Sequence, residues 1–170
     1  MVTMKLIGAL LIVLAGAWSG ASPVLRLRRR QRVLESLVAA MVLLRAELCS
    51  SLTPLPTLFE KLAERTEGAV SDFFRRMARD MQSEPLASPL QLMRRHLPVL
   101  GQEPRENAVM LELGNALGCY DLESQLRMVD AAQTRLEQAA AYCNKRILGE
   151  GRSWGTLGIC TGLALAIVLV

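Results

Sequence analysis

The 170-residue sequence is poor in the residues that carry out bond chemistry. It holds one histidine, His96, and its aromatic content is only 4%. Cys–His and Ser–His–Asp catalysis would have to rest on that single imidazole, and no surrounding pattern supports it. His96 stands near the end of a short predicted helix, where a role at the helix dipole or cap is expected. No glycine-rich stretch leads into Gly-Lys-Ser or Gly-Lys-Thr, which excludes a P-loop nucleotide site. Cys49, Cys119, Cys143 and Cys160 lie far apart without a C-x-x-C pair, so neither a zinc site nor a disulfide framework is expected. They read as small buried apolar groups in a reducing compartment. The carboxylates fall on solvated helix faces with no acidic pair set apart for acid–base work. β-branched alternation, internal repeats and low-complexity stretches are all missing. These absences point away from an enzyme, and no cofactor or metal is expected.

What the chain has in abundance is apolar surface. It is 51% hydrophobic with a mean hydropathy of +0.26, high for a wholly soluble domain. The excess sits at the two ends. Leu6 to Leu25 carries no charge and, at about 1.5 Å per residue, reaches roughly 30 Å, one hydrocarbon thickness. Trp154 to Val170 is equally uncharged, at the short end of the spanning range. Both are expected to cross a membrane.

A cleaved signal peptide would place its positive charge before the apolar run. Lys5 does precede it, and Ala15-Gly16-Ala17 and Ser19-Gly20-Ala21 resemble cleavage sites. The balance of charge runs the other way, with Arg26, Arg28, Arg29, Arg30 and Arg32 following the run. Lys145, Arg146 and Arg152 precede the second run. The positive-inside bias therefore places both basic flanks, and everything between them, in the cytoplasm. The net charge of +4 and pI of about 9.2 raise the question of nucleic acid. The basic residues concentrate beside the apolar ends, however, and the middle has few aromatics for stacking bases, so no nucleic acid is expected.

The middle reads as helices throughout. Leu34, Leu37, Val38, Met41, Leu44 and Leu48 follow helical spacing, and "LVAAMVLL" within that stretch is apolar all round, which predicts a central helix. Thr53 is placed to cap a second helix with Pro54 in its first turn; Leu55, Leu58, Phe59 and Leu62 form its stripe. Ser71 is the expected cap of a third, carrying Val70, Phe74, Met77 and Met81. Ser88-Pro89 opens a short fourth helix through Leu97, and Glu103-Pro104 opens a fifth that ends near Gly118. Asp121 caps the sixth, along which Leu122, Leu126, Val129, Ala132, Leu136, Ala140, Cys143 and Ile147 recur at three and four. Gly149-Glu150-Gly151 is expected to break it before the terminal span. The fold class is all-α: a helical bundle at 26–152 between membrane helices at 1–25 and 153–170.

Two segments resemble a known family. "AELCSSLTPL" carries Glu47, Thr53, Pro54 and Leu55, and "LGNALGCYDLESQ" carries Leu113, Gly114, Leu117, Gly118, Asp121 and Gln125. With the opening "KLIGALLIVLAGAWSG", these are similar to the stage III sporulation protein AB family of endospore-forming bacteria. Ser50 and Ser51 stand where that family has an aromatic residue and glycine. The resemblance implies a cytoplasmic six-helix bundle like the domain of type II secretion F-type platform proteins. It implies a non-enzymatic membrane component of a secretion-like channel complex, docking a hexameric ATPase on the mother cell side. Competing readings are a generic two-span scaffold and an exported helical protein with a cleaved leader. Gly16 and Gly20 in the first span, and Gly158 and Gly162 in the last, place glycine pairs on one helix face each. These faces suit close packing of the spans, within one chain or between copies of a homo-oligomer.

Overall fold

A computed structural model describes the backbone of residues 2–50, 53–117 and 121–169, and the side chains of 25–50, 53–117 and 121–149. Six α-helices account for nearly all of it: α1 (Val2–Ser50), α2 (Leu55–Arg65), α3 (Gly68–Ser83), α4 (Pro89–His96), α5 (Pro104–Ala116) and α6 (Leu122–Leu169). A 3₁₀ turn, Leu97–Leu100, follows α4. The chain divides into two compact units, residues 30–141 and the paired ends 1–29 with 142–170. Among the described residues no helix is long and apolar enough to cross a membrane. The two expected spans lie outside the described side chains, Leu25 excepted.

The unit 30–141 packs its helices around a largely aliphatic core. Leu34, Leu37, Met41 and Leu44 of α1 are fully buried, as are Leu58 and Leu62 of α2, Met77 of α3, and Leu92 and Met93 of α4. The three phenylalanines of the chain gather in one place. Phe59 of α2 stacks on Phe74 of α3 at 5.8 Å, and Phe73 meets Phe74 edge-on at 5.1 Å. Edge-on and offset ring contacts satisfy the ring quadrupoles while burying large area, and they fill the α2–α3 seam. Two buried hydroxyls close its polar ends: Thr66 Oγ1 donates to the Leu62 carbonyl at 2.7 Å and Ser71 Oγ to the Ala63 carbonyl at 2.6 Å.

Several helix limits differ from those expected. Thr53 is not the N-cap of α2. Pro54 takes that position in extended conformation, and a second proline, Pro56, stands in the first turn. A proline there has no N–H to leave unpaired, so the helix starts without a side-chain cap. Ser71 is not the cap of α3 either. Gly68, at a φ of +60° that glycine adopts without strain, begins the helix three residues earlier, and Ser71 is drawn inward to α2 instead. Gly149, Glu150 and Gly151 do not interrupt α6, which runs through them. Glycine costs about 1 kcal/mol against alanine in a helix interior, and here neighbouring turns carry it. The helix α1 is less enclosed than its composition suggests: Val42 is 50% exposed, with Ala39 and Ala46 beside it on the open face. Cys143 is buried but Cys49 is exposed, so the cysteines do not share one environment; the side chains of Cys119 and Cys160 lie outside those described.

At Gly114 α5 lies close against α4. A Cβ at that position would lie 2.7 Å from Met93 Sδ and 3.3 Å from the Leu90 backbone Cα. The thioether can swing aside, but the α4 backbone cannot. Gly114→Ala should therefore destabilise the protein by about 1–3 kcal/mol, read as a fall in the denaturation midpoint of the detergent-solubilised chain. Gly149→Ala, where an added Cβ meets nothing, should raise it or leave it unchanged. Equal midpoints for wild type and Gly114→Ala would remove the close approach from the account.

Candidate partner surface

Two groups of residues singled out in the sequence can be followed into the fold. The first is the turn between α1 and α2. Glu47, near the end of α1, accepts from Lys61 Nζ of α2 at 2.6 Å, with the carboxylate 18% exposed. Thr53 is half-buried and Pro54 exposed. Ser51 lies outside the described residues.

The second group spans the end of α5 and the start of α6. Leu113, Gly114 and Leu117 are buried, and the Leu117 N–H closes α5 on the Leu113 carbonyl at 3.0 Å. Gly118 lies outside the described residues. Asp121 is exposed and receives the backbone N–H groups of Glu123 at 3.3 Å and Ser124 at 3.1 Å. The Ser124 hydroxyl donates to it as well. These bonds, the Ser124 hydroxyl foremost, hold its carboxyl below the usual carboxylate range, because each is lost on protonation. Gln125 is half-buried, and its N–H bonds the Asp121 carbonyl at 3.1 Å. The structure thus separates the motif into a buried part that packs α5 on α4 and an exposed part, Asp121, that starts α6.

The basic flanks divide in a similar way. Arg26, Arg28, Arg29, Arg32, Lys145 and Arg146 are exposed. Arg152 and the glycines Gly16, Gly20, Gly158 and Gly162 lie outside the described side chains. Arg30 behaves differently from its neighbours: its side chain is 13% exposed and turns onto the start of α5. It donates to Glu106 Oε1 at 2.7 Å and also reaches the Glu103 carboxylate. The other Glu106 oxygen accepts the Glu103 N–H at 3.0 Å. The spacing of Glu106 three residues after Glu103, with Pro104 between, is a helix-start signal readable in sequence. Its partner on α1, 76 residues away, is not.

His96 does not cap its own helix. Its Nε2 lies 2.7 Å from Asp80 Oδ2 on α3, and Arg95 binds Glu84 through both terminal nitrogens, at 2.6 and 3.1 Å, while also reaching Asp80 at 3.2 Å. The hydrogen bond to His96, then that to Arg95, holds the Asp80 carboxyl below its ordinary range. The imidazole is thus absorbed in joining α4 to α3. Among the described residues no three His, Cys, Asp or Glu side chains gather as metal ligands.

The family model for stage III sporulation protein AB matches residues 5–170. The chain belongs to the stage III sporulation protein AB family. It is 27% identical to stage III sporulation protein AB of Bacillus subtilis (strain 168), over 98% of this chain and 99% of that protein. Its structure is similar to a solved stage III sporulation protein AB, with a TM-score of 0.64 and 25% identity, covering 70% of this chain and 96% of the solved one. The protein is accordingly an all-helical, sporulation-associated member of that family.

Two predictions test the charged ties. Glu106→Ala removes the buried one of the two carboxylates that Arg30 meets and should cost about 1–3 kcal/mol, whereas joint replacement of Arg30 by Met and Glu106 by Leu should cost less. A larger loss in the double variant on chemical denaturation would contradict the desolvation argument. Asp80 gives a pH dependence. A folded carboxyl held below its unfolded value stabilises the fold above the ordinary aspartate range, and that contribution is lost as pH falls through the folded value. Asp80→Asn should therefore flatten the fall of melting temperature below about pH 4, with little change in slope above pH 6.

Proposed function

We propose that the chain is a non-enzymatic membrane platform of a secretion-like channel complex of sporulation. Both apolar ends anchor it in the cell membrane. Its helical domain stands in the cytoplasm, on the mother cell side, and docks a type II secretion-type hexameric ATPase. The observation that carries this reading is the family match from residue 5 to residue 170, which takes in both uncharged ends as well as the bundle. The arginine-rich flank of the first end and the basic residues before the second support the topology through the positive-inside bias. Packing of the two spans through Gly16, Gly20, Gly158 and Gly162 would let the anchors associate without a hydrophobic drive.

The bundle supplies what a docking platform needs. Its helices are tied to one another by charged contacts at several seams, so that a bound partner meets a surface already in place. In this reading the chain holds its partner and performs no bond chemistry of its own.

Topology gives the direct test. Cys49 is exposed and Cys143 buried, so Cys49 is the informative thiol. With Cys119 and Cys160 replaced by serine, a membrane-impermeant maleimide should leave Cys49 unlabelled in intact cells and label it once the membrane is opened. Labelling in intact cells would reverse the topology. A mature N-terminus near Trp18 or Ser22 would instead establish a cleaved leader and an exported protein.

A further inference from the structure

The turn between α3 and α4 presents a leucine that the fold does not use. Leu86 is fully exposed, at 102%, yet the segment holding it is fixed at both ends. The Ala87 N–H closes a turn on the Glu84 carbonyl at 3.0 Å, with Pro85 in the second position, where its fixed φ favours the turn. Glu84 is clamped through both carboxylate oxygens by Arg95 of α4. On the far side Ser88 and Gln91 form a reciprocal capping box, each bond at 3.2 Å. An apolar side chain held out in water by so many local bonds has already lost the backbone freedom that binding would cost it.

The neighbouring helix α3 carries both signs, but its two carboxylates are engaged, Asp72 by Arg75 and Asp80 by Arg95 and His96. Of the arginines on the solvent face of α3, Arg75 is paired with Asp72. Arg76 and Arg79 are exposed and have no carboxylate partner among the described residues. They lie one turn apart, and Arg79 is one turn before the helix ends at Ser83. Most of the bundle's other arginines are matched: Arg30, Arg45, Arg95, Arg127 and Arg135 each meet a carboxylate. Arg65, Arg94 and Arg105 are unmatched as well, each the one unmatched arginine of its helix, and Arg32 belongs to the run beside the first apolar end.

We infer that the α3–α4 turn is a docking knob, with Leu86 entering an apolar pocket of a protein partner whose rim is acidic and faces Arg76 and Arg79. A single leucine beside a charged pair offers a bilayer too little apolar area, whereas a pocket closing around it removes it wholly from water. The phenylalanines of α2 and α3, Phe59, Phe73 and Phe74, are fully buried, which leaves these two helices no open ring on which a nucleic-acid base could stack. The inference rests on the proposed docking of the ATPase and assigns the surface and chemistry by which it occurs.

The experiment measures binding of the purified hexameric ATPase of the same sporulation complex to the full-length chain in detergent, at two salt concentrations. Leu86→Ala should weaken binding about tenfold, and Leu86→Met, which keeps the volume, should retain it. Arg76→Glu with Arg79→Glu should weaken binding at low salt and flatten its salt dependence. The altered side chains are exposed, so melting temperatures should match wild type and exclude misfolding as the cause. Binding by wild type and undiminished binding by these variants would overturn the knob and leave the platform reading intact. No binding by wild type would overturn both.

Discussion

A helical core with three phenylalanine rings must close its remaining volume with aliphatic side chains, and that draws backbones together. The rings are spent at one seam, between α2 and α3, where Phe59, Phe73 and Phe74 meet. At the α4–α5 seam the opposite solution is used. Gly114 contributes no side chain at all, and Met93, a flexible residue suited to irregular gaps, lies against the space a Cβ would fill. Large rings at one end and a missing Cβ at the other are two answers to the same packing demand. The positions of the remaining helices follow from them, since α3 and α4 join the two seams.

Apolar packing of this kind sets distance better than register, and the polar contacts supply the second. Glu47 with Lys61 joins α1 to α2, Arg45 with Asp130 joins α1 to α6, and Glu112 with Arg135 joins α5 to α6. These pairs are exposed at one or both partners, and such pairs contribute little net stability. Arg30 with Glu106 is different, because both side chains are largely withdrawn from water, at 13% and 7% exposure. Its attraction must offset a desolvation penalty, so its consequence is that a mispaired arrangement of α1 and α5 would leave a buried charge unmatched. The pair thus penalises wrong packings more than it rewards the right one.

Sequence periodicity carried the existence of the helices and most of the inward positions, because those depend on spacing within a single segment. It also carried the Ser88 and Asp121 starts, where a local side chain accepts local N–H groups. It failed where a residue's role depends on a distant partner. Ser71 looked like a cap and is instead a bond to α2; His96 looked like a helix-end group and is instead a bond to α3. Arg30 looked like one more cation beside an apolar run, yet its guanidinium is committed to α5. In each case the residue type was read correctly and its partner lay in another helix, beyond the reach of any local pattern. Thr53 and the Gly149–Gly151 stretch failed for a different reason. Proline at two positions removed the donors that a cap would serve, and helix continuity outweighed the modest cost of two glycines.

The distribution of paired and unpaired charge bears on function more than the net value does. A pI of about 9.2 would be expected to attract polyanions if the cations lay open together. Within the bundle most of them do not, since carboxylates from neighbouring helices neutralise them in place. What stays open in groups is the run from Arg26 to Arg32, with Arg30 withdrawn, and the short pair on α3, while Arg65, Arg94 and Arg105 are open one to a helix. The first set adjoins an uncharged segment long enough to span a bilayer, where cations on one flank bias orientation. The second lies on the helix that leads into a hydrogen-bonded turn with an unburied leucine. Specificity then falls to the places where open cations stand together, because a partner gains only from charge that the fold has left unmatched.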